Sequence, residues 1–267
     1  MIYNTDIRKN HTSRFHFTGM ITALLLIMLT IDGIAQKPEG YIRYLRTGNW
    51  AKQMAAVDYL SKQQRDRFMY MWSSRAEYKS FTNLWFSPAG SKYEDSEEIA
   101  DRDREGGYDW RKEVFLIMRN FETSRIHDAI QLNGKVYVIE DTLNYPQWKI
   151  LNDMKEVAGH ICMNAFYEDT LKMQKITAWY ALDLPVSAGP ERLGGLPGVI
   201  LEVDINDGAM LITADKVEMK PLTDELNPPK KMKGKKVSEE QYLTVLKKHF
   251  DDRRADEEPP FWGDVRY

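Results

Sequence analysis

The sequence predicts an α+β fold rich in strands: an antiparallel curved sheet, a meander or half-barrel, with an N-terminal and a C-terminal helix packed on it. Three observations carry this. Short strand-like segments follow one another from Lys112 onward. Asn133-Gly134 and Asn206-Asp207-Gly208 separate two pairs of them with residues that tolerate positive φ, the chemistry of hairpin turns. Val199, Leu201, Val203 and Ile205 alternate with Glu202 and Asp204, as in a sheet with one dry and one wet face.

At the start of the chain, Arg8, Lys9 and Arg14 precede an apolar run at 20–31 that Asp32 closes. A charged segment followed by a short apolar one is the pattern of a signal peptide, and the run falls short of the roughly 20 residues of a membrane span. Gly33 and Ala35 supply the small side chains a signal peptidase accepts, so the expected cut lies between Ala35 and Gln36. No cysteine follows the cut to carry a lipid. The expectation is a signal peptide at 1–35, one β-rich domain at 36–250 and an extended tail at 251–267, in a protein exported to the periplasm or cell surface without a transmembrane anchor after cleavage.

A formal net charge of −3 is too mild to favour nucleic acid as a partner. With a single cysteine, Cys162, the chain forms no intrachain disulfide, so stability must rest on the core. All seven tryptophans lie beyond residue 35 and can supply it.

Residues 51–72 place Val57, Leu60, Gln64, Phe68 and Met71 at helical spacing, an amphipathic helix with a core-facing stripe. Residues 78–87 read as a strand, and 87–109 as a solvated loop with a charged run at 101–105. The apolar run 114–118 and segments 124–132, 135–141, 160–167, 172–182, 199–205 and 210–219 read as strands. A Pro- and Lys-rich linker at 227–236 leads to a helix at 238–250, opened by a Ser238/Gln241 capping box and burying Leu243, Leu246 and Phe250. In the tail, Phe261 and Trp262 are too apolar to leave in water, which predicts folding back.

Motifs that carry chemistry are absent: no G-x-S-x-G, H-E-x-x-H, Walker A or G-x-G-x-x-G. His127, His160 and His249 lack metal-ligand spacing, and neither a metal nor a cofactor is expected. His160 and Cys162, two apart on a strand, share a face and permit a Cys–His nucleophile pair, although a lone cysteine among apolar neighbours more often serves as a small core residue. Asp183, Glu191 and Glu202 permit an acid/base pair of the kind hydrolases use. The span from Asp204 to Gly208 is similar to a calcium loop, but its glycine is one place early and the downstream glutamate is missing, so a hairpin turn fits better.

The run from Ile176 through Trp179, Tyr180, Asp183 and Pro185, then Gly189-Pro190-Glu191, then Gly195-Leu196-Pro197-Gly198-Val199-Ile200, resembles the GLPGLI family of exported Bacteroidota proteins. Trp148-Lys149-Ile150 and Gly159-His160-Ile161-Cys162 with Ala165 are similar to the family's approach to that motif, where tyrosine is commoner than His160. Val199 stands where the name-giving motif has leucine. The likeness implies secretion, and brings no catalytic residue, ligand or cofactor with it.

Physically, these prolines and glycines describe a tight connection between two strands, either loop geometry alone or the rim of a cleft. Gly195 and Gly198 are expected to matter to the backbone, whereas Glu191 and Arg192 are expected at an exposed tip. The function expected is a non-enzymatic binding or accessory protein for an envelope partner or an apolar small ligand held in the concavity of the sheet. The alternative is a hydrolase using Asp183, Glu191 and Glu202.

Overall fold

The computed structural model describes residues 38–71, 77–100, 114–261 and 266–267. The signal segment, the cut after Ala35, the charged run at 101–105 and Trp262 lie outside the described residues.

Two meanders build the sheet. The first comprises β1 (Gly40–Asn49), β2 (Glu77–Ser87), β3 (Gly90–Asp95), β4 (Phe115–Asn120), β5 (Arg125–Leu132) and β6 (Lys135–Thr142), each antiparallel to the next. The second comprises β7 (Lys149–Val157), β8 (His160–Asp169), β9 (Gln174–Ala181), β10 (Val199–Ile205) and β11 (Met210–Met219). Pairing of β1 with β11, from Gly40 opposite Met219 to Gly48 opposite Met210, joins the two. The three-residue β12 (Lys235–Val237) adds to β6 in parallel, giving one sheet with β12 and β7 as its open edges. Both expected hairpin turns form, with positive φ at Asn133, Gly134, Asn206, Asp207 and Gly208.

The sheet curls strongly. Side chains of β4–β6 (Ile117, Ile126, Ile130) and of β8–β10 (Cys162, Ile176, Val203), far apart in strand order, join one buried cluster. Register shifts after Arg43, Ile150 and Ile200 supply local bends. At the last of these, the Ile200 carbonyl accepts a 2.6 Å hydrogen bond from the buried Tyr44 hydroxyl. Each large apolar side chain moved into this core contributes about 1.5–3 kcal/mol.

Several elements depart from expectation. The helix at 51–72 is two: α1 (Trp50–Ala55), capped by the Asn49 side chain, and α2 (Lys62–Met71). Ser61 and Gln64 exchange backbone and side-chain hydrogen bonds of 2.8 and 3.2 Å, a capping box that starts a new helix. Val57 and Leu60 are buried between the helices, but α2 buries nothing, so Gln64, Phe68 and Met71 form no core stripe. Within the expected loop at 87–109 lies β3, polar enough to escape notice because Tyr93 fills most of its inner face. β1 carries a charge, Arg46, at an inward position, which disguises its alternation. β7 is an edge strand that buries only Val157 and shows no apolar period.

The last helix, α3 (Glu239–Ala255), has the expected Ser238/Gln241 capping box but runs past residue 250. It buries Tyr242, Leu246, His249 and Phe250, while Leu243 is exposed. Phe261 and Tyr267 fold back onto it, with ring centroids 5.6 Å from Phe250 to Phe261 and 4.2 Å from Phe261 to Tyr267.

Candidate functional site

The connection from β9 to β10 lies across the interior rather than projecting from it. Leu184, Val186, Ala188 and Leu196 are buried, and the loop knits to itself through Val199 N–H to Leu184 O and Ile200 N–H to Ala188 O, both 2.9 Å. Pro185 and Pro197 face solvent, whereas Gly189 and Pro190 are buried. Trp148 clamps the loop by donating to the Gly194 carbonyl at 2.8 Å. Gly195 has φ 84°, and a Cβ there would lie 2.6 Å from the Tyr145 ring. Gly198 abuts backbone: its Cβ would lie 2.0 Å from the Ala181 carbonyl oxygen.

Glu191 and Arg192 are not at an exposed tip. Glu191 adopts φ 55°, a conformation costing a non-glycine residue about 1–2 kcal/mol, and in doing so turns its carboxylate inward. There it accepts from Arg266 at 2.9 and 2.6 Å and lies 3.2 Å from Arg46. Burial pushes its carboxyl up, and Arg266 and Arg46 more than reverse this, holding it at about 2. Arg192 donates to Asp128 at 2.9 Å and to both oxygens of Glu239 at 2.9 and 2.5 Å, tying the loop to β5 and α3. Asp128, fully buried, also accepts from Arg119 at 2.5 Å and from the Met118 N–H at 3.1 Å.

Beneath the loop is a cavity of about 440 Å³, walled by Ile117, Ile126 and Ile130 on one side and by Ile176, Leu193 and Ile205 on the other. Arg119, Lys172, Gln174, Glu191, Arg192 and Arg266 supply its polar lining. A groove of about 840 Å³ along α3 shares Asn144, Thr170, Leu171, Glu239 and Leu243 with it and forms its approach. The size and the mixture of apolar walls with a few polar groups are those of a small-molecule site.

The carboxylates named from sequence are not brought together. Asp183 meets His160 Nδ1 at 2.7 Å, Glu191 meets Arg266, and Glu202 takes Lys155 and the Thr213 hydroxyl. The Cys–His pair does not form either, since the Cys162 thiol faces the His160 carbonyl oxygen at 3.6 Å instead of the ring. Burial, with Asp183 adding to it, pushes that thiol up to about 11, away from reactivity. Trp179 lies on the outer face under Lys155, whose ammonium is 4.2 Å from the ring centroid, whereas Tyr180 is buried within. In the turn after β10, Asp204 accepts from the Gly208 N–H at 2.5 Å, closing a hairpin. Among the described residues no group of His, Cys, Asp and Glu is arranged to hold a metal ion.

Arg46, Asp128, Lys172, Gln174 and Arg266 are polar lining or supports that were not singled out from sequence. For Asp128 a signal existed: it interrupts the apolar period of Ile126 and Ile130.

The segment 166–202, which includes the whole of this loop, matches the model of a family described as "Protein of unknown function (Porph_ging)". No curated protein sequence matches the chain. Among solved structures, PNGF-II in two space groups is similar at 14% identity and a TM-score of 0.50, over 78% of this chain and 32% or 33% of that one. The chain thus spans about a third of PNGF-II's length, and at this identity the likeness is one of fold alone. An uncharacterized conserved protein from Thermus thermophilus aligns over 81% of this chain and 99% of its own, at 4% identity and a TM-score of 0.36. Fold and site together describe a β-sheet protein with a cavity between its two meanders.

Proposed function

We propose that this chain is an exported cell-envelope binding protein of the GLPGLI type, which holds an apolar small molecule inside its curled sheet and catalyses no reaction on it. The cavity of about 440 Å³, walled by isoleucines from both meanders, is the observation that carries this reading. The signal-peptide pattern at the N-terminus and the match at 166–202 to an uncharacterised family agree with it. The hydrolase reading through Asp183, Glu191 and Glu202 has less support, because each carboxylate is committed to a different partner and none is poised beside another.

The test is titration of the purified protein with the neutral apolar fluorophore N-phenyl-1-naphthylamine, alongside mass spectrometry of small molecules that co-purify from the envelope. Saturable binding that Ile130→Trp, which fills the cavity, abolishes is the expected result. Absence of binding by a folded protein that also carries no small molecule overturns the reading.

A further inference from the structure

The polar groups lining the cavity are unevenly satisfied. Arg192 is neutralised by Asp128 and Glu239, Arg119 by Asp128, and Arg266 by Glu191. Lys172 is different: among the described residues its ammonium makes no hydrogen bond or ion pair, and the more distant fields of Asp169 and Glu191, which favour its charge, are opposed by those of Arg192 and Arg266. Gln174 is 2% exposed, lies at the start of β9 on the same inner face as Ile176, and has a buried side-chain N–H₂ with no acceptor. Both residues line the same cavity. A half-buried cation and a fully buried amide donor two residues apart, each without an acceptor, are costly in an apolar setting unless something supplies one. Water can satisfy the amide, but it leaves the charge unmatched.

We propose that the molecule held in this cavity is an amphipathic acid, an aliphatic body ending in one carboxylate, whose head is seated on Lys172 and Gln174. The inference rests on the binding reading above and names the ligand's chemical class. The isoleucine walls accept the aliphatic part, and both donors border the same space. An ammonium and an amide N–H₂ together match the two oxygens of a carboxylate through one charge-assisted and one neutral hydrogen bond. A cationic ligand is disfavoured at the same place, because Glu191 and Glu239 are already paired with Arg266 and Arg192, whereas Lys172 brings a charge that no ion pair matches.

Calorimetric titration of the full chain with decanoate and with 1-decanol, which share an apolar tail and differ in the head, tests this. Decanoate is expected to bind one site about tenfold more tightly than 1-decanol. Lys172→Gln should remove that preference without weakening 1-decanol, and Lys172→Arg should keep it. Melting curves establish that each variant is folded. Equal affinity for acid and alcohol overturns the carboxylate inference and leaves the apolar-cavity reading standing. Binding of neither overturns both. A preference for decanoate that survives Lys172→Gln removes Lys172 as the seat and overturns the assignment.

Discussion

Arg266 donates two hydrogen bonds to the Glu191 carboxylate, at 2.9 and 2.6 Å, so that the end of the described chain is locked to the middle of the loop between β9 and β10. The same guanidinium lies 3.4 Å from the centroid of the Phe115 ring on β4. Side-chain exposures of 7% for Arg266 and 12% for Glu191 mean that water cannot substitute for either partner. Removing one member leaves a buried charge, at a cost of about 3–5 kcal/mol. Glu191→Ala is therefore expected to lower the melting temperature by at least about 6 °C. Arg266→Met with Glu191→Leu should cost much less than the two single changes added together, and a thermal melt of the four proteins checks it.

The pair also sets a pH dependence. Glu191 is held at about 2 against an ordinary 4.5, so its folded value is depressed. The stability it contributes is present above the unfolded value and is lost as pH falls toward the folded one. In size this is about 3 kcal/mol. Denaturant titrations of the wild type and Glu191→Gln should differ most at neutral pH and converge as pH falls through the window from 4.5 to about 2. A gap that stays constant with pH would show that the carboxylate charge contributes nothing to stability.

Arg192 gives the third expectation. Its forked hydrogen bonds to Asp128 and Glu239 bridge β5 and the first turn of α3, and Asp128 is fully buried. Arg192→Ala strips Asp128 of one of its two guanidinium partners and frees the start of α3. The expected loss is about 2–4 kcal/mol, with hydrogen exchange in 239–246 accelerating before the rest of the protein. Arg192→Lys should recover only part of it, since an ammonium cannot form the bidentate contact. Unchanged exchange in α3 would rule out the bridge.

How far the sequence spoke depended on whether pattern and burial agreed. The pair β10 and β11 was legible because alternation and an Asn-Asp-Gly turn specify one register, and both strands begin and end where they were expected. The Ser238/Gln241 start of α3 was legible for the same reason. β1, β3 and β7 were not, because each breaks the apolar period: Arg46 points inward, Ser91 shares the inner face with Tyr93, and β7 is an edge. The site was the least legible part. That Glu191 and Arg192 turn inward follows from partners distant in sequence, Arg46, Asp128, Glu239 and Arg266, and local composition carries no trace of them.

The loop glycines separate two physical constraints that a single substitution type would confuse. Gly195 needs positive φ, and a Cβ there would in addition lie 2.6 Å from Cγ and 2.7 Å from Cβ of Tyr145, the root of that side chain, which moves only with its own backbone. Gly198 does not have positive φ. It needs space, because its Cβ would meet the Ala181 carbonyl at 2.0 Å, and that carbonyl belongs to β9 and cannot yield without disturbing the ladder to β10. Gly195→Ala is thus expected to cost about 2–4 kcal/mol, about 1 kcal/mol of it for the left-handed conformation and the rest for displacing Tyr145. Gly198→Ala should cost about 2–4 kcal/mol, since backbone must move. Asparagine tolerates positive φ, so it should fall no further than alanine at 195 and clearly further at 198, where its larger side chain meets backbone. Urea melts of Gly195→Ala, Gly195→Asn, Gly198→Ala and Gly198→Asn decide the matter. If Gly198→Ala melts like the wild type, the contact between Gly198 and Ala181 is not what holds β9 to β10, and if asparagine is worse than alanine at 195, crowding rather than left-handed strain governs that position.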